Sequence, residues 1–101
     1  MTNKAIVNYF KLHPFVNFEV SDLGSEIIIE PNTRFTFGNR PDYFDGMQII
    51  YYAIDGIFEV SEYQAGSKEN ELHIYYETKS IKRAFNKLML GNKQKPIKVW
   101  K

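Results

Sequence analysis

The side chains in this sequence that could do chemistry are few and scattered. His13 and His73 are the two histidines, sixty residues apart. Neither has neighbours at ligand spacing, and a metal site needs three or four N, O or S donors converging on one point. Two acidic pairs stand out, Asp42 with Asp45 and Glu69 with Glu71. Both lie in stretches that read as loops, and no nucleophile or base completes a catalytic set around them. The chain has no Cys, which removes disulfides, thiolate metal sites and cysteine nucleophiles at once and fits a reducing compartment. It also lacks a Gly-rich phosphate loop and a nucleophile elbow. The expectation is a protein that is not an enzyme and uses no metal or cofactor.

Charge is more informative than any single residue. The formal net charge is +1, but the signs are segregated. All 12 carboxylates fall between Glu19 and Glu77, against only Arg34, Arg40 and Lys68, a local charge of −9. From Thr78 to Lys101 there are 8 bases and no acid. Such asymmetry marks a partner-binding surface, or else acidic strands and a basic helix that neutralise each other on packing.

Two surfaces follow from the alternation of side chains. Opposite the apolar residues of two successive strands stand Glu59, Ser61 and Tyr63, then Glu71, His73, Tyr75 and Glu77. Tyrosine offers contact area at low entropy cost and carboxylates attract a basic partner, so this face reads as protein-binding; the plainer reading is the solvated side of a one-sided sheet. Lys82, Arg83 and Lys87, with Asn86, form the polar stripe of the last helix, and Lys79, Lys93, Lys95, Lys98 and Lys101 lie nearby in sequence. Phosphate neutralisation is the chemistry that stripe could perform, although no residue stands out to read bases.

The elements that must position these residues are legible from period and punctuation. Ile6, Val7 and Phe10 give an amphipathic helix over Asn3 to His13, ended by Pro14. Phe15 to Val20 alternates as a strand with Val16, Phe18 and Val20 inward; after the turn Asp22-Leu23-Gly24-Ser25, a second strand runs from Glu26 to Glu30, broken by Pro31-Asn32. Arg34 to Phe37 is a short extended piece, and Gly38 to Gly46 has turn chemistry and no period, so it reads as a surface loop. Met47 to Ile54 is almost wholly apolar, as befits a central strand covered on both faces. Asp55-Gly56 predicts a two-residue hairpin turn with both residues at positive φ. Ile57 to Tyr63 follows as a strand, then a polar loop from Gln64 to Asn70, then a strand in which Leu72, Ile74 and Tyr76 share a face. Ile81, Ala84, Phe85 and Leu88 fall at i, i+3, i+4 and i+7, the stripe of a second helix. Thr78 or Ser80 is placed to cap its start and Gly91 its end, and Pro96 to Trp100 could add an edge strand. No apolar run is long enough to span a bilayer, and no signal peptide is visible at the start.

The second half of the chain resembles a known module. Asp55-Gly56-Ile57-Phe58-Glu59-Val60-Ser61-Glu62-Tyr63-Gln64-Ala65-Gly66-Ser67-Lys68, followed by Leu72 to Thr78 and a helix carrying Ala84-Phe85, is similar to small immunity proteins of bacterial polymorphic toxin systems. Those carry a Gly-aromatic-Glu-Val strand, a polar loop with Gly, and a strand running into a helix. Here Gln64-Ala65-Gly66 stands where an acid and Arg before Gly are frequent. The resemblance implies a cytoplasmic non-enzyme that blocks a toxin domain by binding it, and it carries over no catalytic or metal residue.

The expected architecture is one α+β domain over residues 1–101. It has a single antiparallel sheet of about five strands, with an N-terminal and a C-terminal helix on one face. Its shared core is expected from Phe10, Val16, Phe18, Ile27, Ile29, Ile49, Phe58, Val60, Leu72, Ile74, Phe85 and Leu88. The expected partner is a protein, a cognate toxin, met by Arg40, Asp42, Tyr43, Asp45, Glu59, Tyr63 and Tyr75. The alternative is a nucleic-acid-binding accessory protein using the basic helix and tail; a homodimer formed through the edge strand is a third reading. No membrane partner is expected, and the state is monomer or homodimer in the cytoplasm.

Overall fold

The computed structural model describes residues 1–14, 16–31, 47–63, 72–89 and 98–100, with Tyr63, Leu72 and 98–100 described by their backbone. Helix α1, Asn3–Lys11, starts on the Thr2 hydroxyl, which accepts from the Ala5 N–H at 3.1 Å. It ends before Pro14, where His13 folds back: its Nδ1 accepts from the Val16 N–H at 3.1 Å, and its ring stacks 4.5 Å from Phe85. The turn out of α1 is therefore fixed by a side chain from the far end of the sequence as well as by the proline.

Strands β1 (Phe18–Asp22), β2 (Glu26–Pro31), β3 (Met47–Tyr52), β4 (Ile57–Tyr63), β5 (Leu72–Thr78) and β6 (Lys98–Trp100) form one antiparallel sheet in chain order. Helix α2 spans Ile81–Met89, capped by the Ser80 hydroxyl, which accepts from the Arg83 N–H at 3.3 Å. Both helices lie on one face, so the α+β architecture is as expected; the strand count is six, the sixth being the edge strand read from the C-terminal residues. No described helix is long and apolar enough to cross a membrane.

The core lies between that sheet face and the helices. Ile6, Phe10, Ala84 and Leu88 enter from the helices, and Phe18, Ile27, Ile29, Ile49, Phe58 and Val60 from the strands. Met47, Tyr51 and Tyr75 join them. Phe85 is only half-buried, packed at the margin against His13 and edge-on to Phe18 at 6.1 Å. The Leu72 side chain, the extended piece at Arg34 to Phe37, and Gly91 lie outside the described residues.

Three local expectations are corrected. Strand β2 runs one residue past the expected Glu30 and ends on Pro31, which is buried opposite Phe18. The Asp55-Gly56 hairpin has a four-residue loop, 53–56, because β3 stops at Tyr52, whose carbonyl accepts from the Gly56 N–H at 2.8 Å. Gly56 supplies the positive φ of 67° this closure needs, and Ile54 is left 91 % exposed at the tip. The third correction concerns β5. The register against β4 shifts between Val60 and Ser61, so Val60 faces Tyr76 while Ser61 faces Ile74. Tyr75 is the extra residue of a β-bulge, and a bulge reverses the alternation on one side of itself. Ile74 consequently leaves the face of Tyr76 and is buried on the other side of the sheet with Ser61, whose hydroxyl lies 3.4 Å from the Gln48 amide.

Candidate functional site

Sheet pleating decides which carboxylates share a surface. Ile27, Ile29, Ile49, Tyr51, Phe58 and Val60 face the helices. Their sequence neighbours Glu26, Ile28, Glu30, Ile50, Tyr52, Glu59 and Ser61 must face the other way. Register then carries Glu19 (opposite Glu30) and Glu77 (opposite Glu59) to that second face. Five glutamates thus stand on one side of four strands, with Tyr52 among them. Two pairs, Glu19–Glu30 and Glu59–Glu77, are directly opposed like charges, an arrangement that destabilises a sheet where nothing else meets the carboxylates; Glu59 takes a hydrogen bond from Tyr52. The described helices carry Lys4, Lys11, Lys82, Arg83 and Lys87 on the opposite side of the sheet. The charge segregation of the sequence is therefore a segregation in space.

The second face is graded from edge to centre. Glu19, Ser21 and Glu30 are exposed on β1 and β2, whereas Gln48, Ile50, Ser61 and Ile74 are buried. At the hairpin end, Tyr52, Asp55, Ile57, Glu59 and Glu77 line a hollow of about 210 Å³. The Tyr52 hydroxyl donates to Glu59 Oε1 at 3.3 Å. Partial burial first, then the negative charge of Glu59, Glu26 and Glu77, pushes the Tyr52 phenol up to about 12. The phenol is thus held protonated with its one proton given to Glu59, which leaves its oxygen as an acceptor in a negative field, suited to a cationic, hydrogen-bond-donating partner.

The expected site residues fare unevenly. Glu59 is on the acidic face but only 9 % exposed, engaged with Tyr52. Tyr75 is not outward: the bulge turns it into the helix-side core, 5 % exposed, where its hydroxyl donates to the buried Glu62 at 2.9 Å. His73, opposite Glu62, follows it to that side. The backbone of Tyr63 is in β4, while its side chain and Arg40, Asp42, Tyr43 and Asp45 lie outside the described residues. Sequence reasoning missed Tyr52, which reads as part of an apolar central strand. The signal was the pairing of its strand with two glutamate-bearing neighbours, which register alone reveals.

On the helix side, α2 holds a second polar feature. Lys87 Nζ sits 4.8 Å from the centroid of the Tyr76 ring, a cation–π contact. Arg83, Asn86, Lys87 and Tyr76 together line a shallow cleft of about 320 Å³. Among the described residues no group of three or more His, Asp or Glu has the arrangement of a metal site. No protein-family model, curated protein or solved structure matches the chain.

Proposed function

We propose that this chain is a non-catalytic binding protein, an immunity protein that neutralises a bacterial toxin in the cytoplasm by direct contact. The observation that carries this reading is the concentration of Glu19, Glu26, Glu30, Glu59 and Glu77 on the sheet face away from the helices, with two Glu–Glu pairs directly opposed. The exposed Glu19–Glu30 pair gains nothing in stability from facing a like charge, and a basic partner would relieve it. Toxins that attack nucleic acid must be basic to hold phosphate, so an acidic surface bearing tyrosine can occupy the same groove. Tyr52 is assigned to this surface with Glu59, its hydrogen-bond partner; Tyr63, Arg40, Asp42, Tyr43 and Asp45 are proposed as further partner contacts from the sequence alone.

The test is growth of cells producing the toxin encoded beside this gene. Wild-type protein should protect them, and a folded variant carrying Glu19→Lys, Glu30→Lys and Tyr52→Ala should not. Full protection by that variant would remove the acidic face from the function.

The cleft beside Tyr76 favours a second reading, a nucleic-acid accessory protein acting through Arg83, Asn86 and Lys87. Its signature is micromolar binding to a random duplex that weakens steeply with salt and disappears when Lys82, Arg83 and Lys87 become Glu.

A further inference from the structure

The sheet ends in β1, and no described strand lies beyond it. Which backbone groups β1 leaves over follows from one hydrogen bond. The Leu23 N–H donates to the Glu26 carbonyl at 2.8 Å, so Leu23 and Glu26 form a hydrogen-bonded pair. Such pairs alternate along an antiparallel ladder, which makes Ser21–Ile28 and Glu19–Glu30 bonded and Asp22–Ile27, Val20–Ile29 and Phe18–Pro31 non-bonded. The bond from the Ala53 N–H to the Ser25 carbonyl fixes the same phase from the other side, since it commits Ser25, Ile27 and Ile29 to β3. The N–H and C=O groups of Phe18, Val20 and Asp22 therefore point out of the sheet. Pro31, which has no N–H, sits at a non-bonded position of this ladder, so the β1–β2 pairing loses nothing to it.

An edge strand of this kind is a template for another chain. Resting on the immunity reading above, we infer that β1 is a strand-addition site, and that its occupant is an extended segment of the neutralised protein in which Lys or Arg alternates with aliphatic residues. The alternation comes from the two sides of β1. A strand laid against it places every second side chain beside Glu19, with Glu30 directly behind, and the others beside Phe18 and the half-buried Val20. The charge also argues against a second copy: two β1 strands paired with each other would gather two Glu19, two Asp22 and two Glu30 carboxylates along one seam.

The probe is an end-capped heptapeptide of alternating Lys and Val, added to isotope-labelled full chain at low salt and followed by amide hydrogen exchange. In the free protein the Glu19 and Ser21 amides should be protected and those of Phe18, Val20 and Asp22 should exchange at close to unprotected rates. Peptide should slow those three by at least tenfold. Val20→Pro removes the central outward donor without touching a bond to β2, and Glu19→Lys reverses the charge at an exposed position that leaves the core untouched. Each should weaken peptide binding by at least tenfold. The inference is overturned if the peptide does not bind, if protection develops on α2 or β6 instead, or if Glu19→Lys binds as well as wild type. It is equally overturned if the three amides become protected with protein concentration alone, which would make the edge a self-association site. Strand addition by the peptide in a protein that protects against no toxin would leave this site standing and remove the immunity reading.

Discussion

The bond between Tyr75 and Glu62 makes a measurable demand on stability. Glu62 is 7 % exposed on the helix side of β4, and the Tyr75 hydroxyl donates to its Oε2 at 2.9 Å. A buried carboxylate that loses its donor pays its desolvation without return. Tyr75→Phe deletes only the hydroxyl and leaves the ring in the core, so the loss should be about 1.5–3 kcal/mol, the range for hydrogen bonds to charged groups. Glu62→Gln with Tyr75 intact should cost less, because a neutral amide still accepts from the phenol. The double variant should fall short of the sum of the two single changes by about 1 kcal/mol or more, since each has already removed the same contact. Urea denaturation of the four proteins, with a common slope, gives all these values. A Tyr75→Phe loss below about 0.5 kcal/mol would refute the reasoning. It would mean that Tyr75 does not hold Glu62 and that the bulge does not place it in the core.

Other expectations follow from the same geometry. Phe85→Ala should cost about 2–3 kcal/mol by chemical denaturation, less than a fully buried phenylalanine, because Phe85 is only partly buried and packs at the margin against His13 and Phe18. Ser80→Ala should lose about 1 kcal/mol from the α2 cap. Gly56→Ala should cost about 1 kcal/mol through its positive φ alone, since the added methyl would meet only Tyr51 Oη at 4.0 Å. Ultraviolet titration should show one tyrosine ionising near 12, lost in Tyr52→Phe. Because the folded state raises that phenol above its unfolded value of 10.0, its contribution is complete below pH 10 and declines as pH rises towards 12.

Much of this architecture could be read from residue order, and the places where it could not share one cause. The two helices were legible because Ile6 and Phe10, and Ala84 and Leu88, recur at helical spacing and all four are fully buried. Strand β3 was legible as a central strand because it is almost wholly apolar, and residues of both its faces are buried. Periodicity assumes an uninterrupted ladder, however, and the extra residue at Tyr75 breaks it: nothing in Leu72-His73-Ile74-Tyr75-Tyr76 distinguishes a regular strand from one whose alternation reverses midway. The acidic face suffered from the opposite limit. Glu19, Glu26, Glu30, Glu59 and Glu77 are distant in sequence, and only cross-strand register shows that they share a surface or that Tyr52 stands among them. Composition revealed that charge was segregated but could not say along which axis.

Calorimetric titration of the purified protein with the product of the neighbouring gene, the toxin that the immunity proposal requires, tests the role of that surface most directly. Binding should be tight at low ionic strength and weaken as salt rises, because the proposed contact is between an acidic sheet face and a basic groove. Reversing the exposed pair with Glu19→Lys and Glu30→Lys should raise Kd at least about a hundredfold, roughly 2.7 kcal/mol, while the same reversal at Lys82 and Arg83 should leave it unchanged. An affinity that survives loss of the glutamates but falls with Lys82 and Arg83 would contradict the account and transfer the interface to α2.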